Sequence, residues 1–550
     1  MIAATALLAI LLGVGVMVPL ALGLPLLLLV ACASKRLRRR MPRLFVIAPV
    51  PALLAALFDA DAGSFELGNQ AFALRFSLDA PGAMLLGVAA LLWIASGLYA
   101  ARFLRGRAEP DGFIVCWLMT LAGCVGVFLA ADLIGFYFLL AVLSVGASGL
   151  VLQGEGPDAM RAGAVYLALA LLAEAFLLAG LVLMANATPD GSLLISDAVA
   201  ALPDSPTRDL TVTLLLIGLG MKAGLVPLHF WMPLAYTAAP IPAAAVMSGA
   251  VVKASVIALL RFLPLDVALP GFGQALAVLG LFGALYGVLI GITQRDPKTV
   301  LAYSSVSQMG FVVAVIGMGL AAGDAGAPVA AAFYAAHHLL VKGSLFLAVG
   351  VVALTGRRHL WPMLLPAAII ALGLGGLPLT GGSLAKYAAK DLLGDGPAGT
   401  VAVLSSIAST LLMIHFTRRL AESTAVDANA RAPGVLAFAW IAMALASLVV
   451  PWLLYLDFPI EALPKALAPA ALWDALWPVL VGALLAFVLD RFRGLPRVPA
   501  GDLGIALGGL EGPALSAGAA LERTDTFLRR WPVACVVMLA VTLLFVWAFL

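Results

Sequence analysis

The sequence predicts an all-α polytopic membrane protein with about sixteen transmembrane helices. Composition, run length and charge placement each carry this. The 550 residues are 63% hydrophobic and only 11% charged, whereas globular domains are about 25% charged. Mean hydropathy is +1.10, which excludes a large soluble enzyme core. Apolar runs of about 20 residues recur throughout, each long enough to cross a bilayer as a helix.

In chain order the runs fall near 3–31, 44–58, 82–101, 113–131, 133–152, 163–185, 209–228, 241–264, 271–292, 300–320, 328–353, 363–390, 398–417, 434–455, 468–489 and 531–550. The run at 363–390 reads as broken. Basic residues cluster at 35–43, at Arg102, Arg105 and Arg107, at Arg161, at Arg295 and Lys298, at Arg357 and Arg358, at Arg418 and Arg419, and at Arg491, Arg493 and Arg497. These connections alternate with acidic or neutral ones such as 186–207 and 456–463. The positive-inside rule then places the arginines in the cytoplasm and both termini outside. The segment "LVAC" at 29–32 is followed at once by "KRLRRR" and has no basic region before it. It reads as a stop-transfer flank rather than a lipoprotein cleavage site.

The organisation that follows is N-terminal helices over 1–112, with an external hairpin at 59–80 where the residues alternate like two short strands. A first repeat spans 113–265 and a second 271–417. C-terminal helices occupy 434–490. Residues 502–530 are weakly amphipathic and read as a cytoplasmic interfacial segment, before a last span at 531–550. A plain linker is the competing reading of 502–530.

The net charge of +3 lies in short loops and points to no nucleic acid. Cys32, Cys116, Cys124 and Cys535 sit in apolar runs without paired spacing and read as packing residues. No nucleotide, flavin, haem or zinc motif occurs, so no cofactor, metal or catalytic redox site is expected on this chain.

The chain has 8 lysines and 24 arginines. Arginines sit in loops, but Lys222, Lys253, Lys342, Lys386 and Lys390 lie in or beside apolar runs. Arginine stays charged, whereas a desolvated lysine can lose its proton. Ionisable groups inside a membrane are costly and mark ion pathways. Snorkelling from helix ends competes for Lys253 and Lys390, and less well for Lys222 and Lys342. Glu174 lies mid-run in "YLALALLAEAFLLAG" and could be the counter-charge of a lysine. Its competing reading is a helix–helix hydrogen-bond acceptor. Asp132 lies near the expected outer boundary. In "FYAAHHLLVKGSLFL", Tyr334, His338 and Lys342 share one helix face at spacings of four, a candidate proton relay. His337 points elsewhere and reads as a packing or interface residue.

Proline and glycine mark two helix breaks. One is "LGMKAGLVPLHFWMPLAY" at 219–236, with Pro227 and, just after it, His229. The other is "GLGGLPLTGGSLAKYAAK" at 373–390, with Pro378. Broken helices in matching positions indicate inverted-repeat transporters with ion sites at the midplane. Carbonyls freed there can bind water or cations.

These stretches, with "MKAGLVPLHFWMPLAYTAAPIPAAAVMSGAVVKASVIALLRF" at 221–262, "QRDPKTVLAYSSVSQMG" at 294–310 and "LPLTGGSLAKY" at 377–387, resemble one family. It is that of the antiporter-like proton-channel subunits of respiratory complex I, shared with the large subunits of Mrp-type sodium/proton antiporters and membrane-bound hydrogenases. The resemblance covers about 113–417. It implies about fourteen core helices with two inverted repeats of about five helices each. It matches Lys222 and Lys386 to the ionisable residues of the two broken helices, Lys253 to the lysine of the next helix, and His338 with Lys342 to the central relay. Ser304 and Ser307 fall in a matching segment, and Glu174 falls where some members carry an acid. Three positions depart. Members usually carry a Trp-Glu pair in the fifth helix, where this chain has Leu140 and Ala141. Tyr334 stands where many have histidine, and Tyr387 replaces the common acid after Lys386.

The resemblance implies a proton-translocating subunit of a multi-subunit assembly in a bacterial cytoplasmic (inner) membrane. Its partners would be other membrane subunits, the bilayer, protons and, in the antiporter alternative, Na+. The alternatives are an Mrp-type cation/proton antiporter subunit, a non-conducting scaffold, and an ion-coupled subunit of an inorganic-carbon uptake complex. Any oxidoreductase label would belong to the whole complex.

Overall fold

The computed structural model describes residues 16–491, apart from 61–62, 70–71, 108 and 460, together with 498–501. The expected interfacial segment and last span therefore lie outside the described residues. Among the described residues, eleven helices are long and apolar enough to cross a membrane, and Met17–Ala31 and Trp361–Gly375 are shorter apolar helices. The chain is an all-helical, multi-pass membrane protein.

The principal helices are α1 Met17–Ala31, α2 Val50–Phe58, α3 Ala80–Phe103, α4 Asp111–Leu129, α5 Leu133–Leu152 and α6 Pro157–Ala187. Then come α7 Arg208–Ala223, α8 Trp231–Ala238, α9 Ile241–Phe262, α10 Pro270–Gly291, α11 Pro297–Ala322 and α12 Ala327–Ala353. The last are α13 Trp361–Gly375, α14 Gly381–Leu393, α15 Pro397–Glu422, α16 Gly434–Tyr455 and α17 Pro469–Arg491. The run at 44–58 is not one span. Turns occupy 44–49, and only the nine residues of α2 are helical. Pro49 and Pro51 explain this, since proline lacks the N–H that a helix interior needs.

Between α2 and α3, β1 Ser64–Asn69 pairs antiparallel with β2 Phe72–Ser77, with Glu66 opposite Arg75. Those two side chains form an ion pair at 2.7 Å. Backbone bonds from Ala131 to Arg75 and from Ile195 to Ala131 tie the hairpin to the α4–α5 connection.

Burial identifies the centre of the bundle. The spanning stretches of α9 and α12 are wholly buried, whereas that of α17 is 22% buried and faces outward. Arg261, near the end of α9, joins three elements. Its guanidinium pairs with Asp79 at 2.6 Å and donates to the carbonyls of Phe128 at 2.8 Å and Ala130 at 3.0 Å. Asp79 in turn caps α3 by accepting from Gly82 N. The cation thus sits at the C-terminal end of α4, where the helix dipole favours it. The pair α10 and α11 approaches closely through glycine. A Cβ on Gly280 would stand 2.5 Å from the Gly310 carbonyl oxygen, and one on Gly287 would stand 2.6 Å from that of Tyr303. Small residues of this kind let membrane helices meet backbone to backbone.

Candidate functional site

The two breaks share one local geometry. α7 stops at Gly224, whose φ is 74°, and α13 stops at Gly376, whose φ is 98°. In each, the next residue's N–H reaches back five residues, Leu225 to the Gly220 carbonyl and Leu377 to the Leu372 carbonyl. This is the Schellman stop, and glycine supplies the left-handed conformation that it requires. Proline follows at 227 and 378, so neither helix can simply continue. The Val226–Pro227 peptide bond is cis. Across the first break, Trp231 Nε1 donates to the Met221 carbonyl at 2.9 Å.

Lys222 lies in the last turn of α7. Its Nζ stands 2.8 Å from Glu174 Oε1 on α6 and 2.8 Å from Ser144 Oγ on α5. The pair is buried, with side chains 11% and 5% exposed. Ser144 lies one turn beyond Leu140 and Ala141. Beyond Lys222, a cavity of about 30 Å³ borders Ser144, Lys222, Val252 and Ser255. A space of that size holds a water or two.

Lys253 opens the second half of α9. The turn before it, Met247–Val251, is π-helical, an irregularity common at functional sites. Lys253 Nζ lies 3.3 Å from the Ser248 carbonyl oxygen and 2.6 Å from His338 Nδ1. Lys342 Nζ donates to the Leu301 carbonyl on α11 at 3.0 Å. Lys253, His338 and Lys342 are all fully buried.

The row of Tyr334, His338 and Lys342 divides its contacts. Tyr334 stacks on Phe311 with ring centroids 4.7 Å apart and donates to Gln308 Oε1 at 2.9 Å. Gln308 Nε2 donates to Ser409 Oγ on α15 at 2.9 Å. Lys386, in α14, donates to Ser406 Oγ at 2.6 Å and to the Gly375 carbonyl at 2.9 Å. Its ammonium therefore caps the C-terminal end of α13, where positive charge is favoured. A cavity of about 380 Å³ opens beside it, lined in part by Tyr387, Lys390, Thr400, Ser406 and Asp474.

Several candidates from the sequence stand outside this row. Asp132 caps α5: its two oxygens accept from Gly135 N and Arg75 N, each at 2.7 Å. Lys390 pairs with Asp474 of α17 at 3.0 Å, and both side chains are more than half exposed. Ser307 donates to the Ala284 carbonyl at 2.6 Å, a bond between α10 and α11. Ser304 is buried in α11, and His229 is fully buried between the rings of Tyr286 and Tyr303. Sequence reasoning passed over Ser144, Ser406, Gln308 and Ser409. It also read Lys298 as a loop cation. Lys298 instead donates to the carbonyls of Thr237 at 2.5 Å and Ala239 at 2.6 Å, tying the end of α8 to α11. Among the described residues, no three His, Cys, Asp or Glu side chains converge so as to hold a metal ion.

Fold and site together define a multi-pass helical membrane protein with ionisable side chains buried beside two helix breaks. Residues 130–411 match the family described as NADH:quinone oxidoreductase/Mrp antiporter, TM, and the chain belongs to it. It is 33% identical over 425 residues to NADH-quinone oxidoreductase subunit N of Desulforudis audaxviator, covering 71% of this chain and 83% of that protein. It is 28% identical over 345 residues to a Na(+)/H(+) antiporter subunit of Alkalihalophilus pseudofirmus, covering 59% of this chain and 68% of that protein. A chain of the Mrp complex from Dietzia sp. DQ12-45-1b matches with a TM-score of 0.75 at 21% identity. That match covers 97% of this chain and 62% of the Dietzia chain, and is a likeness of fold.

Proposed function

We propose that the chain is a proton-translocating subunit of a multi-subunit assembly of the complex I or Mrp kind, seated in a bacterial cytoplasmic membrane. The observation that carries this reading is the buried series itself. Glu174 pairs with Lys222, Lys253 meets His338, Lys342 follows on the same α12 face, and Lys386 ends beside an open cavity. A proton enters near the first break, passes through the lysines, His338 and intervening water, and leaves from the Lys386 region. At about 4 Å and an effective dielectric of about 20, one unit charge is worth about 4 kcal/mol to its neighbour. Loading one site therefore biases the next without a large motion of the helices.

The Glu174–Lys222 contact supports a conducting subunit over a scaffold, since it provides an acid although position 141 is alanine. The Mrp-type antiporter reading uses the same residues and predicts sodium-dependent flux. The test is proton flux in vesicles holding the whole complex. Lys222→Ala and Lys342→Ala each abolish flux while the complex still assembles. Wild-type flux from either variant overturns the proposal, and sodium dependence of the wild-type flux selects the antiporter reading.

A further inference from the structure

The central group of Lys253, His338 and Lys342 is separated from Lys386, and proton translocation along the series requires a proton to cross that interval. One short chain of hydrogen bonds lies in it, running from Tyr334, one turn before His338, through Gln308 to Ser409, one turn from the Ser406 that binds Lys386. Its middle member is an amide. A carboxamide accepts at oxygen and donates from nitrogen. To relay a proton it must gain one at oxygen and lose one at nitrogen, becoming an imidic acid that then has to revert. Gln308 therefore serves to hold Tyr334 and α15 in place, and breaks the chain as a conductor.

His337 offers what Gln308 lacks. It is 3% exposed, and among the described residues neither ring nitrogen has a hydrogen-bond partner. A buried imidazole without partners is costly unless water or a moving proton occupies it. Its surroundings are specific. A Cβ on Gly381 would lie 2.8 Å from His337 Nδ1, and one on Gly382 would lie 3.0 Å from Nε2. A Cβ on Gly373 would lie 3.8 Å from its Cε1. The ring thus rests on the glycine steps of the second helix break. Lys386 Nζ binds the Gly375 carbonyl, two residues along the same break. His337 also lies within electrostatic reach of both Lys386 and His338.

We propose that His337 is the proton carrier between the central lysines and Lys386, and that the glycines at 381 and 382 keep room for its ring. One ring nitrogen gains an N–H bond as a proton arrives from the central group through water. The other nitrogen gives up its N–H, again through water, to the neutral Lys386 amine, which becomes ammonium. The ring ends neutral, so charge and protons balance.

This inference rests on the proton-translocating reading, and the experiment separates the two. Proton flux is measured in vesicles with the whole complex carrying His337→Phe, His337→Ala, Gln308→Leu or Lys342→Ala, with co-purification of partners as the check on assembly. His337→Phe fills the site without titrating and lowers flux about tenfold or more. His337→Ala is equally slow, and added imidazole restores it, which a packing role would not produce. Gln308→Leu loses less flux than His337→Phe, because it removes a positioning contact and no proton carrier. Wild-type flux in His337→Phe alongside a silent Lys342→Ala overturns this inference alone, as does loss of flux in Gln308→Leu with flux kept in His337→Phe. Wild-type flux in Lys342→Ala overturns the underlying reading. Should His337→Ala fail to assemble, His337→Phe decides the matter.

Discussion

Lys222 and Glu174 stand 2.8 Å apart on neighbouring helices, with Ser144 as the lysine's second acceptor at the same distance. The lysine at the first break is thus held by an acid from α6, although the family resemblance places its partner on α5. Breaking a buried ion pair leaves one uncompensated charge, at a cost of about 3–5 kcal/mol. Glu174→Gln therefore lowers proton flux about tenfold or more and lowers the melting temperature of the complex. The double variant Glu174→Gln/Ala141→Glu regains part of the flux, because it returns an acid to the face that carries Ser144. Vesicle flux and a thermal melt measure both. No recovery in the double variant would show that the α6 position is indispensable.

Arg261 binds Asp79 and the carbonyls at the end of α4 through several planar N–H groups at once. An ammonium cannot reproduce that fork. Arg261→Lys is accordingly destabilising by roughly 2–3 kcal/mol, the loss of one or two charged hydrogen bonds. Yield and melting temperature in detergent report it. Equal stability of the lysine variant would disprove the role.

Gly280 and Gly271 lie in the same helix and differ in what surrounds them. A methyl at 280 would meet the Gly310 carbonyl oxygen at 2.5 Å, while one at 271 meets nothing within 4 Å. Gly280→Ala forces α10 and α11 apart and costs about 1–3 kcal/mol. Gly271→Ala is neutral or slightly stabilising. Parallel thermal melts compare them, and equal melting temperatures would count against the close-packed pair.

The cavity beside Lys386 is lined by Thr400 and Val403 at the start of α15, the end of the helix opposite Arg418 and Arg419. Thr400→Cys and Val403→Cys therefore react with a membrane-impermeant thiol reagent applied from the face opposite the arginine-rich loops. Ala336→Cys, buried in α12, does not react. Labelling followed by mass shift reads this out. Inert cysteines at both cavity positions would mean that the space is closed to water.

Much of this protein was legible from local chemistry. The helical class follows from apolar run length, and both breaks follow from glycine and proline, whose effects are set within a few residues. The intramembrane lysines stood out because charge is rare in such runs. Other features had weaker signals. Asp132 precedes a helix and is followed three residues later by Gly135, so an N-cap could have been read there. Ser144, Ser406, Gln308 and Ser409 look like ordinary helix residues until their partners are known. Leu301 takes part through its carbonyl, which no side-chain pattern reports.

By itself, then, the sequence determined which groups are ionisable, that several of them lie in apolar runs, and where two helices must stop. Those properties depend on residue type and near neighbours. Only the tertiary structure decided which acid meets Lys222, that Lys253 meets His338, that Lys390 turns to Asp474, and that His337 rests on the second break. These contacts join residues as much as 85 positions apart. They depend on helix packing and rotation about the helix axis, which no local stretch of sequence encodes.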